Sequence, residues 1–188
     1  MKKLAFAVPL LALVLAACST DGASLPSILD RVRFGDDTAT LAVAVETSGD
    51  AIPAALDAED AGLTLFAPTE AGFAQALADA AAVCGVAEYT AADLLGVDPA
   101  VLQLVLQYHV VPTEAFAADL SDGQVLTMLA GGDVTVQIAN GTVTLVDAVG
   151  RTATVVTADR NASNGVVHLI DNVLLPTADP AVLNCPAS

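Results

Sequence analysis

Hydrolytic chemistry needs a nucleophile, a base and an acid that orients the base. Ser163, His168 and Asp171 form the one close grouping of those types in the 188-residue chain. The surrounding β-branched residues imply an extended stretch, in which His168 and Asp171, an odd number of positions apart, project from opposite faces. They cannot readily pair, so no catalytic residue is assigned, and His168 is read as a structural strand residue. The densest acidic run, Asp57-Ala58-Glu59-Asp60-Ala61-Gly62, has the look of a calcium loop. Counted from Asp57, however, the fifth position is Ala61 and the twelfth is Pro68, so the bidentate glutamate is missing and a solvated surface cluster is expected. No glycine-rich phosphate loop, haem motif or paired-histidine motif occurs, and no metal or cofactor is assigned.

Charge narrows the partners. Acidic residues number 22 against 6 basic ones, for a net charge of −16. Such a surface repels phosphate, which excludes nucleic acid and basic-patch docking on anionic lipid, and it favours neutral, basic or cation-bridged partners. Two of the bases, Lys2 and Lys3, precede the apolar run Leu4–Ala17. That run is too short to cross a hydrocarbon layer of ~30 Å, which takes about 20 helical residues, and it reads as a signal peptide spanning 1–17. The block Leu15-Ala16-Ala17-Cys18 resembles the lipobox of bacterial lipoproteins. The resemblance implies that Cys18 becomes an acylated N-terminus, with 18–25 as a polar tether and the protein held at the cell envelope facing the periplasm or the exterior, on an outer membrane if the host has one. Two or three acyl chains anchor durably where one does not. Export then leaves Cys84 and Cys185 as an even pair in an oxidising compartment, where a disulfide is expected, with two inert buried thiols as the alternative.

The remaining chain must position whatever it presents. Apolar residues at helical spacing place helices over Pro26–Phe34 and Thr38–Thr47, broken by Gly35 and Gly49. The run Leu63–Ala67 is a strand stopped by Pro68, and Thr69 caps a helix with Phe73, Ala76, Leu77 and Ala80 on one face. Thr90 with Asp93, and Asp98 with Pro99, mark two further helix starts, the second helix running to Tyr108. From His109 the period changes to two. Val134, Val136 and Ile138 alternate, Asn140-Gly141 is a hairpin turn, and strands follow at Val143–Leu145, Ala153–Ala158 and Gly165–Leu175. Helices early and strands late give an α+β domain with an antiparallel or mixed sheet.

Three segments resemble the fasciclin-like domain family in that family's order. They are Thr64 to Phe73, including Phe66, Ala67, Pro68 and Thr69; Tyr108-His109-Val110-Val111-Pro112; and Asn164-Gly165-Val166-Val167-His168-Leu169-Ile170-Asp171 with its continuation to Pro176. Glu70 and Gly72 depart from the family pattern, and Gly72 weakens the helix start by roughly 1 kcal/mol. The resemblance implies a domain over 26–176 with a C-terminal tail 177–188. It also implies a β-sandwich or wedge with helices packed against it, and a non-catalytic module for adhesion or contact with an envelope, matrix or cell-surface protein. Some fasciclin-like proteins look like carriers of apolar molecules such as carotenoids or lipids, which supplies a second functional expectation. The Tyr108-His109 pair tempts an adhesive-site reading, but its apolar surroundings favour a buried structural role, with His109 hydrogen-bonded to a main-chain carbonyl.

Overall fold

The structure, a computed structural model, describes residues 25–177 together with Cys185. The leader 1–17, Cys18, nearly all of the tether 18–25 and most of the tail 177–188 lie outside the described residues.

Six helices are present among the described residues. Helix α1 (Ile28–Arg33) begins where Ser27 accepts the Asp30 N–H, and it buries Ile28, Leu29 and Val32. Helices α2 (Ala39–Thr47) and α3 (Ala51–Asp57) follow. Only two opening helices were expected; α3 is the third. Its Pro53 sits in the first turn, where a missing N–H costs no helical hydrogen bond. Helix α4 (Glu70–Cys84) starts on Thr69, whose hydroxyl accepts the Gly72 N–H, and stops at Gly85 in the left-handed conformation, φ 67°. Helix α5 (Ala91–Leu95) opens with a Thr90/Asp93 capping box, and α6 (Pro99–Gln107) opens with Asp98 accepting the Ala100 N–H.

The strands are β1 (Leu63–Pro68), β2 (Val110–Val111), β3 (Val125–Thr127), β4 (Asp133–Ala139), β5 (Thr142–Val146), β6 (Thr152–Ala162) and β7 (Gly165–Ile170). They form one mixed sheet in the order β2-β1-β7-β6-β5-β4-β3, with β1 and β7 parallel and every other pair antiparallel. The expected α+β class with mixed strands and packed helices is present in its wedge form. Strand β6 makes the bend: Thr152 to Thr154 pair with β5, while Val155 to Ala162 pair with β7 across two register shifts. The far edges approach each other where the Leu129 N–H donates to the Val110 carbonyl at 2.7 Å, so the sheet nearly closes. At the β4–β5 turn Asn140 and Gly141 both take positive φ, 53° and 79°, as the expected hairpin requires.

Strands β1 and β7 are buried at every position. Alternation splits them between two cores. Leu63, Leu65, Ala67, Val167 and Leu169 face the helices and meet Ile28, Leu41, Ile52 and Leu106. Phe66 and Ile170 face the interior of the curled sheet with Tyr108, Val134, Val136 and Leu145. Strand β7 ends at Ile170 rather than Leu175, because the chain turns away at Asp171 and its later N–H groups are taken by side chains. Strand β6 outruns its expected end at Ala158 because the bulges let it follow β7 to Ala162. Cys84, at the end of α4, is joined to Cys185 by a disulfide across a sequence separation of 101. Closing a loop of that size restricts the unfolded chain by roughly 4 to 5 kcal/mol on the chain-entropy model.

Candidate functional site

The three motif segments meet around β1. The Phe66 N–H donates to the His109 carbonyl, and β1 pairs with β7 from Leu63↔Gly165 to Pro68↔Ile170. Tyr108 caps α6 and is fully buried; its hydroxyl donates to the Asp133 carbonyl at 2.6 Å and accepts the Ala148 N–H at 3.0 Å. Burial holds its phenol above the ordinary tyrosine range.

His109 is 1% exposed. Its Nδ1 lies 2.7 Å from the Val105 carbonyl, which can only accept, so the proton sits on Nδ1. Nε2 then accepts the Leu174 N–H at 3.0 Å. Burial of the imidazole lowers its pKa to about 4, so the ring is neutral at pH 7. His168 is held in the opposite tautomer: Nε2–H donates to the Ala115 carbonyl at 2.8 Å, and Nδ1 accepts the Asp159 N–H at 3.2 Å. Its ring stacks on Phe66 with centroids 5.4 Å apart.

The other motif residues are just as fully occupied. Asn164 is buried, donating to the Leu56 and Ala58 carbonyls and accepting the Ile28 N–H, so it joins α1, α3 and the β6–β7 turn. Beside it Gly165 lies so close to Leu63 that a Cβ would run into the Leu63 carbonyl. Asp171 accepts the Thr154 N–H at 2.6 Å, and Thr69 donates to the Ile170 carbonyl through both its N–H and its hydroxyl. Ser163 is exposed on the turn, His168 faces the sheet interior and Asp171 is committed to β6, so the three form no catalytic constellation. Glu59 and Asp60 of the acidic run are exposed, Asp57 accepts the Ser27 hydroxyl, and no metal-holding cluster occurs among the described residues.

The residue profile of the Fasciclin domain matches 36–176. The chain belongs to the Fasciclin domain family. It is 36% identical over 163 residues to protein sll1483 of Synechocystis sp. (strain ATCC 27184 / PCC 6803 / Kazusa), a match covering 87% of this chain and 79% of that one. Its structure is similar to the FAS1 domain pair of the insect cell adhesion molecule Fasciclin I, with a TM-score of 0.65 and 17% identity over 82% of this chain and 52% of that one. The chain thus spans about half of that two-domain structure, and the likeness concerns the fold. In other proteins Fasciclin domains mediate adhesion or protein interaction.

In this Fasciclin domain the two departures from the motif have local work. Glu70 accepts the Thr40 N–H and hydroxyl, both at 2.7 Å, and so caps α2, whose own Thr38 makes no side-chain cap. Gly72 lets α4 approach the exit of β7: a Cβ there would come within 2.9 Å of the Asp171 carbonyl carbon. The close approach sets against the helix-propensity cost that the glycine was expected to bring. One residue of this network gave no motif signal. Asp147, 5% exposed, accepts the N–H groups of Val149, Arg151 and Leu175 and thereby anchors the segment after β7. Its signal was the Asp147-Ala148-Val149-Gly150 turn, with Gly150 at φ 83°.

Proposed function

We propose that this Fasciclin-domain protein is an adhesion or protein-interaction module of the bacterial cell envelope, anchored to a membrane by acylated Cys18. The observation that carries the reading is the Fasciclin domain itself, over most of the chain, together with a fold similar to that of an insect cell adhesion molecule. The motif residues support it from the other side: their polar atoms serve main-chain groups inside the domain, which makes them scaffold and leaves contact to the surface. No described helix is long and apolar enough to cross a membrane, so attachment in this reading depends on the acyl chains.

The carrier reading meets a size limit. The apolar cleft lined by Leu41, Phe73, Val101, Leu106, Val173 and Leu175 encloses about 40 Å³. That is room for a few water molecules, and ligand pockets start near ~300 Å³, so a carotenoid in this cleft would need the helices to part.

Fractionation and adhesion assays on cells carrying wild-type or Cys18→Ser protein test the proposal together. The wild type should sediment with membranes and raise attachment to immobilised surface or matrix proteins, whereas Cys18→Ser should leave the membrane fraction and lose attachment. Equal attachment with and without the gene would overturn the adhesion reading. A coloured or solvent-extractable ligand co-purifying with the wild type would favour the carrier.

A further inference from the structure

The chain has four arginines and, apart from Lys2 and Lys3, no other lysine or arginine. Two are spoken for: Arg33 pairs with Glu46 at 3.3 Å and Arg151 with Asp79 at 2.6 Å. The other two, Arg31 at the end of α1 and Arg160 in β6, make no ion pair with any acidic group of the described residues, although the protein carries 22 such groups in all. They come together in the fold as walls of one open recess of about 280 Å³. The Arg31 Nε is shielded from solvent and has no hydrogen-bond partner among the described residues. A buried guanidinium donor without an acceptor is costly, and native structures rarely retain one without a reason.

Phe34 stands at the rim of the same recess, 81% exposed. It is the one exposed aromatic ring among the described residues: Phe66, Phe73, Tyr89 and Tyr108 are buried and Phe116 is half-buried. Arginine and aromatic side chains are both enriched at protein interfaces relative to the rest of the surface.

We propose that the Arg31–Arg160 recess is a contact site that receives a single carboxylate side chain of a protein partner, with an apolar neighbour of that carboxylate seated on Phe34. The proposal rests on the interaction-module reading and names the chemistry of the partner. A planar fork of N–H donors matches a carboxylate two atoms at a time. Asp30 and Asp36 also line the recess, and their charge disfavours a doubly charged phosphate more than a singly charged carboxylate. The volume falls just short of the range that encloses whole small ligands and suits one protruding side chain. The strongly acidic surface still repels a strongly acidic partner, so the fit is to an isolated glutamate or aspartate on a neutral or basic face.

The test uses the full chain in mild detergent and a capped peptide carrying one glutamate next to one phenylalanine, with its glutamine isostere and inorganic phosphate as comparison probes. Four arginines give four Nε–H signals in a nitrogen-correlated spectrum. The glutamate peptide should move those of Arg31 and Arg160 and leave those of Arg33 and Arg151 in place. Binding should weaken by about tenfold or more for the glutamine peptide and for the Arg31→Gln/Arg160→Gln double variant, and by a smaller factor for Phe34→Ala. Equal response to glutamate and glutamine, equal response to phosphate, or movement of all four signals together would overturn the site. The two readings fail separately. If wild type and double variant attach equally to immobilised surface proteins and neither takes the glutamate peptide, the recess is wrong and the interaction module stands. If the recess takes the peptide while no attachment is measurable, the interaction reading fails and the carboxylate site stands.

Discussion

The buried junction around β1 and the recess between α1 and β6 treat their polar groups in opposite ways. At the junction His109, His168, Asn164 and Asp147 each engage main-chain atoms through both functional ends of the side chain. Beside the recess the Arg31 Nε is shielded and meets no acceptor among the described residues, and Phe34 exposes a ring that burial would stabilise. The first pattern is what folding demands of any buried polar group. The second gives up stability at the surface, as contact sites commonly do. The residues that mark the family are therefore architecture, and the proposed contact residues lie outside the family motifs.

The largest effect expected from breaking the junction is at Asn164. Asn164→Ala removes an acceptor from the Ile28 N–H and a donor from the Leu56 and Ala58 carbonyls, all in one step. Leaving buried main-chain groups unpaired at about 1–3 kcal/mol each predicts a loss of on the order of 3–5 kcal/mol in chemical denaturation. A loss below 1 kcal/mol would mean that α1 and α3 are not held through this side chain.

The next effect is pH-dependent and belongs to His109. Its folded pKa of about 4 lies below the ordinary value of 6.5, so the fold favours the neutral ring. The unfolded chain takes up a proton first as pH falls. The contribution is therefore whole above pH 6.5, declines between pH 6.5 and 4, and is lost once pH has passed below the folded pKa. The difference corresponds to roughly 3 kcal/mol at most. Carboxylate titration overlaps this window, so the measurement is the difference between wild type and His109→Gln in urea midpoints from pH 7 to pH 4. The wild type should lose stability more steeply, and parallel curves would show that the imidazole is not the titrating group.

A smaller effect is expected where the junction meets the surface. Glu70 caps α2 from a different helix, so Glu70→Ala should cost about 1 kcal/mol, and Glu70→Gln less, by thermal unfolding. This contact also shows the limits of what the chain discloses before it folds. Local signals were legible: caps at Thr69, Thr90 and Asp98, the Asn140-Gly141 turn, and three motif segments that proved to be neighbours. Strands β2 and β3, of two and three residues, are too short to express a period, and Pro53 after Gly49 disguised α3 as a loop. The bulges in β6 break its alternation, which hid its length. Glu70 reads as a helix-start residue in sequence, and its service to Thr40 exists only once α2 and α4 are packed. The recess is illegible for the same reason, since Arg31 and Arg160 lie at opposite ends of the domain sequence and meet only through the placement of α1 against the end of β6, where the Ser163 N–H donates to the Pro26 carbonyl.

The smallest effect should come from the recess, where the sign of the change matters more than its size. Among the described residues Arg31 and Arg160 have no ion pair to lose, so Arg31→Gln with Arg160→Gln should stay within about 0.5 kcal/mol of wild type. Arg31→Met goes further, because it keeps much of the side-chain stem while deleting the shielded Nε–H that finds no acceptor. Removing an unpaired buried donor relieves a desolvation cost, so this variant should be as stable as wild type or more stable, in contrast to every substitution at the junction. Calorimetric melting of wild type, Arg31→Met and Asn164→Ala side by side decides the matter. If Arg31→Met melts lower by an amount comparable to Asn164→Ala, then Arg31 has a structural partner, the recess belongs to the architecture, and the distinction between the two regions collapses.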